Sequence, residues 1–208
     1  MKCGNKLIKA TLLLALTLCL LTAFAAVAAA ETGDLCPAGG SEAVADAEAE
    51  WEQRYIDVSR EGVVDRIPVE TVRVINFDTT IAMDPEYFTY CVRDGIDTFV
   101  YDTWQGEREV YYSVYLAQGS CPSDLCDALY RQYGDSYAAR TVFAVKVGNY
   151  DATAVHFDGE NACLTYQRHF FLIPVDDGCI VIEAQFNFEM YEGLYRIMCA
   201  LFDTLKIG

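Results

Sequence analysis

The chain has 208 residues, with 15 Lys and Arg against 31 Asp and Glu, a net charge of −16. The first 30 residues hold three lysines and no acid, so the rest carries a net of −19. That balance argues against nucleic acid and against docking on an anionic membrane, because both need a basic face. About half of the acidic part is still apolar, enough for one domain with a real core rather than a disordered acidic segment.

Lys2, Lys6 and Lys9 precede an uncharged stretch from Ala10 to Ala30, and Glu31 follows. Ala28-Ala29-Ala30 offers the small-x-small pattern of signal peptidase, so residues 1–30 read as a secretory signal peptide cleaved after Ala30. The alternative is an N-terminal membrane anchor, since 21 residues at about 1.5 Å each just span a bilayer. Cys19 follows Leu18 and Cys36 follows Leu35, which does not suit lipoprotein processing. Residues 31–68 form an acidic leader, solvated or partly helical from Ser41 to about Tyr55. Residues 69–208 make a single domain.

Val69 to Phe77 reads as a strand, and a short extended piece surrounds Ile81. Tyr87 to Arg93 and Ile96 to Thr103 flank Asp94-Gly95, a two-residue hairpin signal because both positions accept positive φ. In Glu107 to Ala117, residues Val110, Tyr112, Val114 and Leu116 alternate onto one face. Pro122, a Ser123 N-cap, the stripe Leu125, Leu129 and Tyr133, and a terminating Gly134 spell a helix. Thr141 to Val147 and Tyr150 to Phe157 surround Gly148-Asn149. Asp158-Gly159 reads as a turn into Cys163 to Ile173, and Asp177-Gly178 as a turn into Cys179 to Phe188. In that last strand Ile180, Ile182, Ala184, Phe186 and Phe188 face one way, while Glu183, Gln185 and Asn187 face a wetter side. A helix from about Glu189 to Thr204 ends the pattern, with Met190, Leu194, Ile197, Leu201 and Leu205 on one stripe. Strands joined by turns this short cannot be parallel. The fold class is α+β, an antiparallel sheet meander packed by two helices.

Seven cysteines lie beyond Ala30. In an exported domain they suggest disulfides, although their spacing fixes no pairing. Cys121 and Cys126 read either as a local disulfide at the start of the first helix or as small buried residues. Cys199 lies nearly opposite the centre of the last stripe, and is expected to pair with a cysteine such as Cys36 or to remain a free thiol.

No pattern meets a catalytic motif, a metal-ligand spacing or a cofactor fingerprint. A turn at Asp158 to Asn161 would set His156 opposite Cys163 and His169 opposite Tyr150, which keeps the two histidines apart. Asp176-Asp177 and Asp158-x-Glu160 fall in loops, where turn chemistry alone favours them. The strongest binding candidates are Tyr111 and Tyr115, which with Ser113 share the face opposite Val110, Val114 and Leu116. A tyrosine there can stack on a sugar or enter a protein interface, as it joins an apolar body to a polar tip. The alternative is that a helix covers this face and the tyrosines are edge-of-core residues.

The order of meander, helix, second meander and terminal helix ending at Thr204-Leu205-Lys206-Ile207 carries a resemblance. Around it sit Val147-Gly148 opening a hairpin, and Tyr166 in a long strand that leads to Asp177-Gly178. Over roughly residues 69–208 the chain resembles the Mog1/PsbP/DcrB-like α/β/α sandwich superfamily, found in many exported bacterial proteins. The cysteine content and the acidic leader depart from it. The resemblance implies accessory or binding work and transfers no functional residue. The expectation is an exported, non-enzymatic binding or accessory protein with a protein or small-molecule partner. A secreted hydrolase-like enzyme using acidic residues and a structural envelope protein are the alternatives.

Overall fold

Strands joined by tight turns must pair antiparallel, and every ladder among the described residues does so. The computed structural model describes residues 54–60, 62–106, 108–160 and 166–208. Its elements begin with β1 (Arg54–Arg60), β2 (Val63–Arg73) and β3 (Thr79–Met83). Next come β4 (Phe88–Arg93), β5 (Ile96–Tyr101), β6 (Tyr111–Gln118) and helix α1 (Pro122–Tyr133). Strands β7 (Tyr137–Val147), β8 (Tyr150–Glu160), β9 (Tyr166–Val175) and β10 (Gly178–Asn187) form the second meander. Helix α2 (Leu194–Phe202) and the short β11 (Lys206–Ile207) follow. The fold is α+β and mostly sheet, with two sheets rather than the one expected. A seven-stranded sheet runs β4-β5-β6-β10-β9-β8-β7, and a four-stranded sheet runs β1-β2-β3-β11.

The two faces of the large sheet bury different sets. Its inner face, with Phe99, Tyr112, Val114, Phe171, Ile180, Ile182 and Phe186, packs against α2 and the small sheet in one core. Tyr112 and Phe99 stack there with centroids 4.4 Å apart, and Phe202 of α2 meets the Tyr112 ring edge-on at 5.3 Å. The outer face packs Val155, Phe157, Phe170, Leu172, Cys179 and Val181 against Leu125 and Leu129 of α1.

Several sequence expectations shift. Ordered structure begins before residue 69, since β1 and the start of β2 put Val58 and Ile67 into the inner core. The leader expected over 31–68 therefore yields residues 54–60 and 63–68 to strands, and its first part lies outside the described residues. Helix α1 starts at Pro122, so Cys121 takes the N-cap place expected for Ser123, and it makes no side-chain cap hydrogen bond. Helix α2 is shorter than the stripe suggested, because Phe188–Met190 forms a separate 3-10 turn. Six of its nine residues are buried, for it packs against both sheets, and Arg196 stays exposed. Cys199, opposite the centre of the stripe, is half-buried against the core.

Asp94 and Gly95 take φ of 50° and 78°, the positive-φ hairpin turn the dipeptide announces. Asp158-Gly159 behaves differently. Gly159 has φ of 66° inside β8, where the partner ladder skips from Ala139↔Asp158 to Tyr137↔Glu160. The pairing lapses only at Ala138 opposite Gly159 and resumes in the same register, and the strand continues past it. The expected register accordingly changes: His156 pairs directly with His169, not with Cys163.

Candidate functional site

Cross-strand rows on the outer face explain where α1 sits. One row runs Val100, Tyr111, Gln185, Arg168 and Phe157, and the next runs Thr98, Ser113, Glu183, Phe170 and Val155. Apart from Arg168 the row residues on β8 and β9 are apolar, and apart from Val100 those on β10, β6 and β5 are polar. Helix α1 buries its stripe on the apolar half, where the hydrophobic gain is. The polar half keeps Tyr111 and Tyr115, both partly exposed.

Glu183, Gln185 and Asn187 do face the side expected to be wetter, yet each is buried. A buried carboxylate needs partners, and the face supplies them. The Tyr111 hydroxyl donates to Glu183 Oε1 at 2.8 Å, and Arg168 Nη1 lies 3.4 Å from the same oxygen. Arg168 also donates to the Gln185 side-chain oxygen and, at 2.7 Å, to the Tyr133 hydroxyl. Gln185 Nε2 in turn donates to the Glu109 carbonyl at 2.9 Å, and Arg93 donates to Glu109 Oε1 at 2.8 Å. The guanidinium carbon of Arg168 sits 4.7 Å from the Tyr133 ring centre, so α1 and the sheet share this cation.

Burial, reinforced by the Glu183 charge, pushes the phenols of Tyr111 and Tyr115 well above their ordinary range. Both stay neutral at any physiological pH. Tyr115 leaves the helix-covered cluster at its edge and lines an open cleft of about 400 Å³ with Asn76, Gly95, Ile96, Leu116 and Gln118. Tyr115 thus packs at the edge of the α1 cluster, while Tyr111 lies outside that cluster and is partly exposed.

Arg168 escaped sequence reasoning, which set Glu183 and Gln185 on the polar side of the last strand without giving them a role. A signal was present, because a lone arginine among Tyr166, Phe170 and Leu172 in a buried strand demands an acid across the ladder.

The inner face holds a second polar group. The rings of His156 and His169 stack 3.5 Å apart and 3° from parallel. His169 Nε2 lies 3.1 Å from Asp158 Oδ1, and His169 Nδ1 lies 2.8 Å from the Tyr195 hydroxyl of α2. A neutral imidazole satisfies both by donating from Nε2 and accepting at Nδ1. The chain of carboxylate, imidazole and hydroxyl has the outline of a nucleophile relay. Its chemistry differs, since burial raises the Tyr195 phenol well above its usual range. The thiols are similarly quiet. Burial lifts Cys179 to about 12 and Cys199 to about 11, and raises Cys126 as well.

The disulfide expected between Cys121 and Cys126 is not formed, and Cys121, Cys126, Cys179 and Cys199 are free thiols. Cys121 is exposed at the helix N-terminus with Sγ 2.9 Å from Ser123 Oγ, whereas Cys126 turns toward the Leu125 and Leu129 cluster. The pairing proposed for Cys199 with Cys36 falls outside the described residues. No group of three or more His, Cys, Asp or Glu among the described residues is placed to hold a metal. No helix among them is long and apolar enough to cross a membrane. No family model matches the chain, and no curated protein matches its sequence.

Proposed function

We propose that the protein is an exported, non-enzymatic binding or accessory protein that takes a carbohydrate on the polar half of the outer sheet face. One observation carries this reading: Tyr111, partly exposed and outside the α1 cluster, and Tyr115, at that cluster's edge, stand beside a hydrogen-bonded platform of Glu183, Gln185 and Arg168. Aromatic rings next to planar polar side chains suit a sugar, whose C–H face stacks while its hydroxyls exchange hydrogen bonds. The platform is already satisfied internally, so its side chains are held in place before a ligand arrives. The layering of α1, the large sheet, and α2 with the small sheet supports a place in the Mog1/PsbP/DcrB-like superfamily as part of the same reading.

The test is calorimetric titration of the protein with a panel of soluble oligosaccharides, repeated with Tyr111→Ala and Tyr115→Ala. Saturable binding that weakens at least tenfold in each variant, with melting shifted by only a few degrees, is the expected result. If no sugar binds, or if truncation costs the several kcal/mol typical of core residues, the tyrosines serve packing and the reading fails.

A further inference from the structure

On the opposite side of Leu116 the two sheets part. A cleft of about 430 Å³ opens where the β9–β10 turn meets β3 and β11. Its walls are apolar and aromatic, from Leu116, Ile180, Val175, Ile207, Phe77 and Tyr150. Asp78, Asp176 and Asp177 also line it, and no Lys or Arg does. Asp78 meets Arg73 at 3.0 Å, but both side chains are about three-quarters exposed, so solvent screens the pair. Among the described residues no ion pair involves Asp176 or Asp177.

A second feature points to an occupant. Thr79 lines the same cleft, is 1% exposed, and its Oγ1 has no hydrogen-bond partner. A buried hydroxyl left in this way is uncommon and destabilising, and a donor entering the cleft would relieve it. The Tyr150 hydroxyl, which accepts from Ile207 N–H at 2.9 Å, stands near the same opening.

We infer that this cleft is a binding site for a small organic ammonium ion with an apolar body. The body fills the aromatic and aliphatic walls. The ammonium donates toward Thr79 Oγ1 and lies in the field of three aspartates on a chain of net charge −16. Phe77 and Tyr150 add ring faces that attract a cation. The volume falls within the roughly 300–1,000 Å³ of small-molecule sites. This site is separate from the tyrosine platform and stands whether or not a sugar binds there.

Phenethylamine is a suitable probe, with 2-phenylethanol as its neutral isostere. Calorimetry at low ionic strength should show saturable binding of the amine, weakened at least tenfold by 0.5 M salt and by Asp176→Asn/Asp177→Asn. The alcohol should bind at least tenfold more weakly. Thr79→Val should reduce amine affinity while leaving the melting temperature equal or higher, because it removes the orphan hydroxyl. Tyr115→Ala should leave amine binding unchanged. Equal binding of amine and alcohol, no binding of the amine, or unaltered affinity in the aspartate variant would overturn the assignment. Stoichiometric displacement of the amine by calcium would overturn it too, in favour of a metal site.

Discussion

At the residue scale the stacked histidines set a pH response. Burial first, and the neighbouring His169 second, bring His156 down to about 4, while the Asp158 charge acts the other way. His169 is also lowered, by burial against the opposing hydrogen bond and charge of Asp158. The groups facing the pair are Phe143 from β7, Phe171 and Phe186 from the sheet, Asp158 on β8 and Tyr195 on α2. An unfolded histidine takes its proton near pH 6.5, and the folded one resists until about pH 4. Stability is therefore complete above about pH 6.5 and is lost as the pH falls toward 4. His156 is only partly buried, so its share is on the order of 1–3 kcal/mol. Thermal melts of wild type and His156→Phe between pH 7.5 and 4 would measure it. The variant should lose the slope between pH 6.5 and 4 and melt higher at neutral pH, because it deletes the unpartnered buried Nε2. Parallel profiles would show that the pair does not couple to folding.

At the element scale, how legible a segment is depends on whether its local signal has one meaning. Asp94-Gly95 and Asp177-Gly178 were readable because each stands between two segments rich in β-branched and aromatic residues, and the polar side of β10 was readable from its period of two. Asp158-Gly159 had the same letters and a different outcome, since the ladders on either side of β8 favoured continuing the strand over turning it. That single choice hid the histidine stack. The platform was half legible: alternation in β6 placed Tyr111 and Tyr115 on the right face. Their partner Arg168 depends on a register between β9 and β10 that no local pattern encodes. Helix α1 carries the element-scale prediction. Its N-cap, Cys121, sits in extended backbone without a side-chain cap, so Cys121→Ser can supply the missing acceptor. The expected gain is about 0.5–1 kcal/mol, roughly 1–4 °C in melting temperature at this size. Reductant should not change the wild-type melt. A reductant-sensitive melt together with a destabilised Cys121→Ser would mean that a Cys121–Cys126 bridge holds the helix after all.

At the scale of the whole molecule, charge, leader and fold bear on one another. Were the chain exported, as proposed, it would meet an oxidising compartment, where free thiols persist only if they are buried or poorly ionised. Cys179, with no exposed surface and its thiol pushed to about 12, meets that condition. Cys121, exposed on α1, does not. Export would thus make Cys121 the thiol most open to oxidation or cross-linking. The two consequences can be read together on protein recovered from a secreting host. Its first residue should be Glu31, and non-reducing electrophoresis should show a dimer fraction that disappears in Cys121→Ser. A retained Met1 would place the chain behind an uncleaved anchor. Dimers that survive the substitution would move the reactive thiol elsewhere. Cleavage at Ala30 with an unmodified, monomeric Cys121 would show that the helix N-terminus is shielded, and a partner lying across α1 would then be the next thing to seek.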